Sequence, residues 1–320
     1  MLRPSAACSQ IVFIVFALST HGPGAISQAG RSESPAPGPY RLSVSVDEVS
    51  LTFHATDARG QPVDDLKVVE LGLLDNGRPP LRILSFQSLQ NSPIRAGILM
   101  DTSPSMEKRL PGERAISVKY AQRLLRQQSD QAFVMDFGYV SRITQPWTAD
   151  AAALAAGVRN VVAGRENPLG GTALFDTVYR ACFSEFGEID HAASRNFILL
   201  FSDGEDNASH TSLKEAVDRC QRTDTAIYAF WPGLESSFSS GPKTLAELAS
   251  ETGGRVFSDD SESGISDGLR TIEADLRNQY RLVYNPADVK HDGSFHRIVL
   301  KAPERVDSIT ARSGYYAQAR

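Results

Sequence analysis

Between residues 95 and 278 the chain alternates two patterns. Short runs that are apolar at nearly every position are separated by longer segments in which apolar residues recur every three or four positions. The short runs are "AGILM" (96–100), "AFVMDF" (132–137), "FILLF" (197–201) and "AIYAFW" (226–231), with a weaker one at "RVFS" (255–258). A strand that is apolar on both faces belongs in a sheet covered on both sides. The amphipathic segments at 105–128, 150–163, 173–186, 211–222, 243–252 and 264–278 have the period needed to supply the covering helices. The pattern predicts an α/β unit with a doubly wound, mostly parallel sheet.

On either side of this region the period changes to two. Residues 40–92 alternate through Leu42, Val44 and Val46, then Val49, Leu51 and Phe53, with turn signals at 57–60 and at Asp75-Asn76-Gly77. Strand character returns after Asn278 in "YRLVY", "FHRIVL" and "ITARSGYYA", with a turn at His291-Asp292-Gly293. Neither flank has enough strands to stand alone. The two are expected to combine into one small, discontinuous antiparallel β domain, with halves at 40–92 and 279–320 around an α/β domain at 95–278.

The N-terminus adds a destination. Arg3, the apolar "IVFIVFAL" (11–18) and the small-x-small Ser27-Gln28-Ala29 have the layout of an export signal over 1–29, followed by a Pro- and Ser-rich linker at 30–39. The apolar run is shorter than the roughly 20 residues that span a bilayer, so no membrane span is expected after cleavage. Cys182 and Cys220 then remain in an oxidising compartment, either as a disulfide or as two small buried hydrophobes. With 320 residues, 41% of them hydrophobic, the chain can bury a full core; its formal net charge of -5 gives no general attraction to nucleic acid or anionic lipid.

Three stretches carry candidate chemistry. Asp101, Ser103 and Ser105 follow the first apolar run in "ILMDTSPSM", Thr172 lies in "GGTALFD", and Asp203 follows the third run in "LLFSDGEDN". Each has an ordinary structural reading: Ser103 as a helix N-cap with Pro104 behind it, Thr172 as a second cap, Asp203 as a turn former at a strand end. In a parallel sheet, however, the loops after neighbouring strands meet where the strand order reverses. If the first and third runs are those neighbours, two carboxylates and three hydroxyls share one crevice, an all-oxygen set that suits Mg²⁺ or Mn²⁺ rather than zinc.

In this arrangement the chain resembles the von Willebrand factor type A (VWA) domain with its metal-ion-dependent adhesion site (MIDAS). That site has the pattern D-x-S-x-S, a distant Thr and a distant Asp, matched in order by Asp101, Ser103, Ser105, Thr172 and Asp203. The flanks "DNGRPPLRILSF" and "FHRIVLKAPERVDSITARSGYYA" look like those of secreted bacterial VWFA-related proteins. The resemblance implies that Ser103 and Ser105 bind the ion directly, that Asp101 and Asp203 act largely through bound water, and that Thr172 joins when ligand is present. It also implies an open coordination position that accepts an Asp or Glu side chain from a protein or peptide partner. The implied activity is binding rather than turnover, and the last helix of such domains can shift with ligand; Ile265, Leu269, Ile272 and Leu276 mark that helix here, whose plainer reading is a static covering helix.

Two enzyme readings compete. "ILMDTSPS" is similar to an aspartic protease half-site built on Asp101, but that chemistry needs two carboxylates sharing a proton, and the sequence has no second such strand. Ser105-Met106-Glu107-Lys108 is an S-x-x-K, as in acylating serine enzymes, without their S-D-N and K-T-G partners. "DGEDN" (203–207) reads as a solvated acidic loop in which Glu205 and Asp206 can tune the field at the metal. The segments 138–149 and 232–242 read as variable loops around the site. The histidines show no ligand spacing, and Trp147 and Trp231 read as core or rim residues.

Overall fold

The computed structural model describes residues 48–163, 170–187, 194–233, 239–258, 261–288 and 290–317; the expected signal, the linker and residues 40–47 lie outside them. In chain order the elements are β1 (Val49–Thr56), β2 (Gly72–Asp75), β3 (Arg82–Ser88), β4 (Ile94–Asp101), α1 (Leu110–Leu124), β5 (Gln131–Phe137), β6 (Ser141–Thr148), α2 (Ala151–Arg159) and α3 (Leu174–Arg180). After a π-helical turn at Ala181–Phe186 come β7 (Arg195–Phe201), α4 (Leu213–Arg222), β8 (Thr225–Phe230), α5 (Gly241–Thr252), β9 (Arg255–Phe257) and α6 (Glu262–Arg277). The last strands are β10 (Gln279–Asn285), β11 (Phe295–Lys301), β12 (Ser308–Ala311) and β13 (Gly314–Tyr316).

The apolar runs form the interior of a six-stranded sheet in the order β6-β5-β4-β7-β8-β9, parallel except for the edge strand β6. Because successive side chains on a strand face opposite ways, each run feeds two cores. Ile98, Met100, Val134, Leu199 and Tyr228 pack with residues of α1, α2 and α6, whereas Leu99, Phe133, Ile198 and Ile227 pack with residues of α3, α4 and α5. Strand order reverses between β4 and β7, which pair directly with Met100 opposite Phe201. The carboxyl ends of these two strands therefore open side by side, the position where an open α/β sheet binds ligands.

The flanking strands close on each other rather than on the large sheet. β1, from the N-terminal flank, pairs antiparallel with both β10 and β12 from the C-terminal flank, giving a sheet in the order β12-β1-β10-β3. A second sheet, β13-β11-β2, faces it across a core that includes Leu51, Phe53, Leu73, Tyr280, Leu282 and Ile298. Buried Asp75 accepts hydrogen bonds from Tyr284 (2.8 Å) and Tyr315 (2.9 Å) and contacts His296 Nδ1 at 2.8 Å, so its charge is well partnered. The fold is thus α/β, with a small discontinuous antiparallel β unit made by the flanking segments. No described helix is long and apolar enough to cross a membrane.

Three expectations are corrected, and the Asp75-Asn76-Gly77 turn forms but joins strands of different sheets. Residues 138–149 do not form a loop: β6 occupies most of them and pairs antiparallel with β5. Pro146 is tolerated because β6 is an edge strand. The turn at Asp75-Asn76-Gly77 is tight, with backbone bonds of 2.8 and 2.9 Å between Asp75 and Arg78 and positive φ at Asn76 and Gly77, yet its flanking strands do not pair as a hairpin. Instead Pro79 and Pro80 lead the chain across to the other sheet. The helix expected from 105 begins at Leu110, since Pro111 lacks an N–H and fits only the first helical turn; a short 3₁₀ turn at Pro104–Met106 precedes it. The helix expected over 173–186 is α-helical only to Arg180, and the rest is the π-helical turn.

Cys182 on that π-helical turn and Cys220 on α4 form a disulfide between fully buried positions, with their Cα atoms 5.1 Å apart. The bridge closes a sequence separation of 38, which constrains the unfolded chain by about 4 kcal/mol in the loop-entropy treatment. We expect Cys182→Ala/Cys220→Ala to lose stability of that order in denaturant unfolding, with α3 and α4 losing hydrogen-exchange protection first. Unchanged stability would show that packing alone holds the two helices together.

Candidate metal centre

At the end of β4 the Asp101 carboxylate is fully buried and fixed on both oxygens. Oδ1 accepts the Ser103 backbone N–H at 2.8 Å, and Oδ2 accepts the Ser202 hydroxyl at 2.7 Å. Ser202, the first residue after β7, in turn accepts the Gly204 N–H at 3.0 Å. Next to it Asp203 is also buried, and its Oδ1 accepts the Glu205 N–H at 3.0 Å. Gly204 is needed here: its φ is +82°, and a Cβ would fall 2.4 Å from the Gly241 carbonyl oxygen.

Ser103 occupies an N-cap position but makes no side-chain cap bond. Its hydroxyl lies 3.1 Å from that of Ser105. The two hydroxyls share a hydrogen bond at this distance, which is also near the roughly 2.9 Å between adjacent ligands on an octahedral ion with Mg–O distances of about 2.0–2.1 Å. Thr172 is buried but does not cap α3, whose cap residue is Ala173. Its loop is held by hydrogen bonds: the Thr172 N–H donates to Asn207 Oδ1 at 2.8 Å, and the Asn207 and Ala208 N–H groups donate to the Thr172 carbonyl at 3.1 Å. On the other side, Ala173 N–H donates to Gly138 O at 2.8 Å, while the Thr102 N–H and hydroxyl donate to Phe137 O at 2.7 and 2.9 Å. The strand-end loops after β4, β5 and β7 are thereby tied to the Thr172 loop.

The "DGEDN" segment is not a free solvated loop; its acidic side chains act as clamps. Half-buried Glu205 accepts from the Ser239 hydroxyl at 2.5 Å and the Gly241 N–H at 3.1 Å, fixing the start of α5. Asp206 accepts the Phe175 N–H at 2.9 Å and the Ser209 hydroxyl at 2.5 Å, fixing the start of α3. Asp176 accepts the N–H groups of His210 and Thr211 at 3.0 and 2.7 Å, closing the same junction from the other side.

Glu113 was not foreseen. It lies on α1 and is buried with Leu110, Ile116, Ser117, Tyr120 and Leu124, and one of its carboxylate oxygens has no hydrogen-bond partner. The signal was in the sequence, because position 113 falls on the apolar stripe of that helix. Burial, reinforced by the fields of Asp101 and Asp203 and opposed by Arg109, pushes the Glu113 carboxyl up to about 8. Burial also pushes Asp101 up to about 6; its bonds from Ser103 and Ser202 act the other way, and Asp203 adds to the rise. Among the described residues no three His, Cys, Asp or Glu side chains group closely enough to hold an ion by themselves, so any ion here would rely on the hydroxyls as well, and the donors at the switch point are all oxygens of Asp, Ser and Thr. This chemistry fits a hard divalent ion.

No family model and no curated protein sequence matches the chain. Among solved structures it is similar to proximal thread matrix protein 1 from the mussel byssus, with 16% identity and a TM-score of 0.50 over 63% of this chain. It covers 50% of that protein, so it spans about half of the mussel protein's length. Another form of the mussel protein, described with a zinc-occupied MIDAS motif, matches at 14% identity and a TM-score of 0.46 over 60% of this chain and 50% of that one. A von Willebrand factor type A protein from Catenulispora acidiphila matches at 14% identity and a TM-score of 0.46, covering 86% of this chain and 73% of its own. The likeness is one of fold. The fold is that of a VWA domain.

The raised carboxyl groups give a pH signature in metal-free protein. A carboxyl whose folded pKa exceeds its unfolded value stabilises fully below the unfolded value, and that stability is lost as pH rises through the folded one. In EDTA, stability is expected to fall between about pH 4 and 8 as Asp101 and then Glu113 ionise, with Glu113 contributing on the order of 5 kcal/mol. Glu113→Gln should flatten the upper part of that fall and raise stability at pH 8, measured by urea unfolding across the range. An unaltered pH profile in the variant would mean that Glu113 is ionised at no cost to the fold.

Proposed function

We propose that this chain is an exported, divalent-metal-dependent protein-binding module whose metal centre captures an acidic side chain of a partner. The observation that carries the proposal is the arrangement at the β4–β7 switch point. Two buried carboxylates and a pair of hydroxyls near octahedral-edge spacing sit at the mouth of a VWA fold, on loops clamped to one another by hydrogen bonds. Ser103 and Ser105 would hold Mg²⁺ or Mn²⁺ directly and Thr172 would join them when ligand is present, with Asp101 and Asp203 balancing its charge through water. A hard ion with few directly bound carboxylates is strongly electrophilic and leaves a position for an incoming Asp or Glu.

The chain's own residues prepare that capture. Ser202 and the Ser103 N–H orient Asp101, Glu205 and Asp206 fix the loops that carry Asp203 and Thr172, and Ser105 stays exposed at the rim. A hydrolase built on Asp101 is not favoured, because both of its oxygens are already engaged by Ser103 and Ser202 rather than by a second carboxyl group. One built on Ser105 is not favoured either: its hydroxyl faces Ser103, and Lys108 points to an exposed position. Export is supported by the Cys182–Cys220 bridge, which persists in oxidising compartments.

Titration with Mn²⁺ followed by electron paramagnetic resonance is expected to give one bound ion per chain. Asp101→Ala and Asp203→Ala should weaken it more than tenfold, whereas Asp218→Ala, on the outer face of α4, should not. Adding a glutamate-containing peptide should lower the number of water molecules on the bound Mn²⁺. Ion binding that survives both site substitutions, or a water count indifferent to the peptide, would overturn the proposal.

A further inference from the structure

At the opposite end of the large sheet, where the β sandwich meets it, three arginines converge on one small cavity. Arg195 begins β7, Arg281 lies on β10 and Arg312 follows β12; all three are buried, and all line a cavity of about 20 Å³. They come from sequence positions up to 117 apart, so only the docking of the sandwich against the α/β unit assembles them. Among the described residues that line the cavity the acidic one is Asp224, which holds a left-handed turn before β8 at φ 50°. Its Oδ2 accepts the hydroxyls of Thr52 (2.7 Å) and Ser50 (3.2 Å) and lies 3.4 Å from Arg281.

The guanidinium ends have structural work. Arg195 donates to the Leu276 carbonyl at the end of α6 at 2.8 Å and also to the Ser92 carbonyl. Arg312 donates to the carbonyl oxygens of Gln221 (2.8 Å) and Ser50 (2.5 Å), and Arg281 donates to that of Ser194 (2.8 Å). The C-terminal dipoles of α6 and α4 neutralise part of the positive charge. Two features are left over. Three full cations line the cavity against one full anion, and the Nε groups of Arg195 and Arg312 are buried without a hydrogen-bond acceptor. Burial lowers the affinity of Arg195 for its proton even with Asp130 nearby, as expected for a cation short of counter-charge.

We propose that this cavity binds a small monovalent anion of chloride size, which accepts the unused Nε–H groups of Arg195 and Arg312 and bolts the β sandwich to the α/β unit. The volume selects the occupant: a cavity needs about 10–15 Å³ to hold one water-sized particle, so this one takes a halide and excludes a sulfate or a carboxylate-bearing metabolite. Asn196 and Thr252 also line the cavity, with their donors engaged by the carbonyl oxygens of Thr223 (2.8 Å) and Leu248 (2.7 Å), so the anion's partners are the two Nε–H groups. Site and function are independent of the metal centre at the far edge of the sheet.

The test uses the full chain at fixed ionic strength while chloride replaces gluconate, which is too large to enter. Because an anion that binds only the folded state stabilises in proportion to the logarithm of its concentration, the melting temperature should rise by about 3 °C per tenfold increase in chloride above the dissociation constant. Arg312→Gln should abolish the rise, and Arg270→Gln, an exposed cation on α6, should leave it intact. Crystals of the unaltered chain soaked in bromide provide a second reading that does not depend on a variant folding. An anomalous peak between Arg195, Arg281 and Arg312 is expected. Its absence, a melting temperature indifferent to chloride, or an equal rise in Arg312→Gln would overturn the proposal and leave the cavity to water.

Discussion

The hydrogen bond from the Ser202 hydroxyl to Asp101 spans the one place in the large sheet where chain direction is no guide to neighbourhood. β4 and β7 are almost a hundred residues apart in sequence, yet they pair in register with Met100 opposite Phe201, so the first residues beyond each strand are forced together. Both Asp101 and Asp203 then lie under the surface, where an ionised carboxylate is costly unless it is matched. Ser202 and the Ser103 N–H supply part of the match for Asp101. The juxtaposition of the two carboxyl groups is a consequence of strand order, and the clamps by Glu205, Asp206 and Asn207 keep the loops from relaxing apart.

The layers of the fold were legible because they follow from period alone. Runs such as "FILLF" can only be strands when flanked by segments of helical period, and an all-apolar strand demands two covering layers. What period does not carry is pairing. β6 reads as a loop because Gln145 and Pro146 interrupt its alternation, and only its place at the sheet edge makes that sequence acceptable. The Asp75-Asn76-Gly77 turn was visible as a turn, but two prolines decide which sheet the next strand joins. In the candidate site the metal-type donors were visible from their spacing, whereas the groups that hold them were not: a half-buried Asp206 on the Phe175 N–H looks the same in sequence as a solvated one. Glu113 lies between these cases, as its position on the α1 stripe was readable but the proximity of Asp101 and Asp203 was not.

The sandwich and the α/β unit form parts of one compact unit, Val46–Arg320. Their junction is polar as well as apolar. His54 of β1 contacts Asp275 of α6 at 3.4 Å, and Arg255 of β9 reaches Asp275 at 3.0 Å and His54 at 3.2 Å. Burial, with the field of Arg255, pushes His54 down to about 4, so at neutral pH this contact is an ion pair between Arg255 and Asp275 with a neutral imidazole beside it. The last helix of the VWA fold is therefore anchored at its C-terminal end, by Arg195 on the Leu276 carbonyl as well as by this cluster. Any displacement of α6 must begin nearer Glu262 or else break contacts with the sandwich.

β7 connects the two charged ends of the molecule. Arg195 opens it among buried cations, and Asp203 stands two residues past its close among buried carboxylates. Eight residue steps at roughly 3.3 Å place these ends about 26 Å apart. That is several Debye lengths at physiological ionic strength, but the path runs through a packed interior where screening is weak. At an effective dielectric constant near 20, two unit charges at this separation interact by only about 0.6 kcal/mol. A direct electrostatic link between the ends is therefore too small to transmit occupancy from one to the other. If the two ends communicate, they do so mechanically, through the β4–β7 register and the anchoring of α6. In a core packed on both faces, such a register has no partial displacement to offer, only a discrete one.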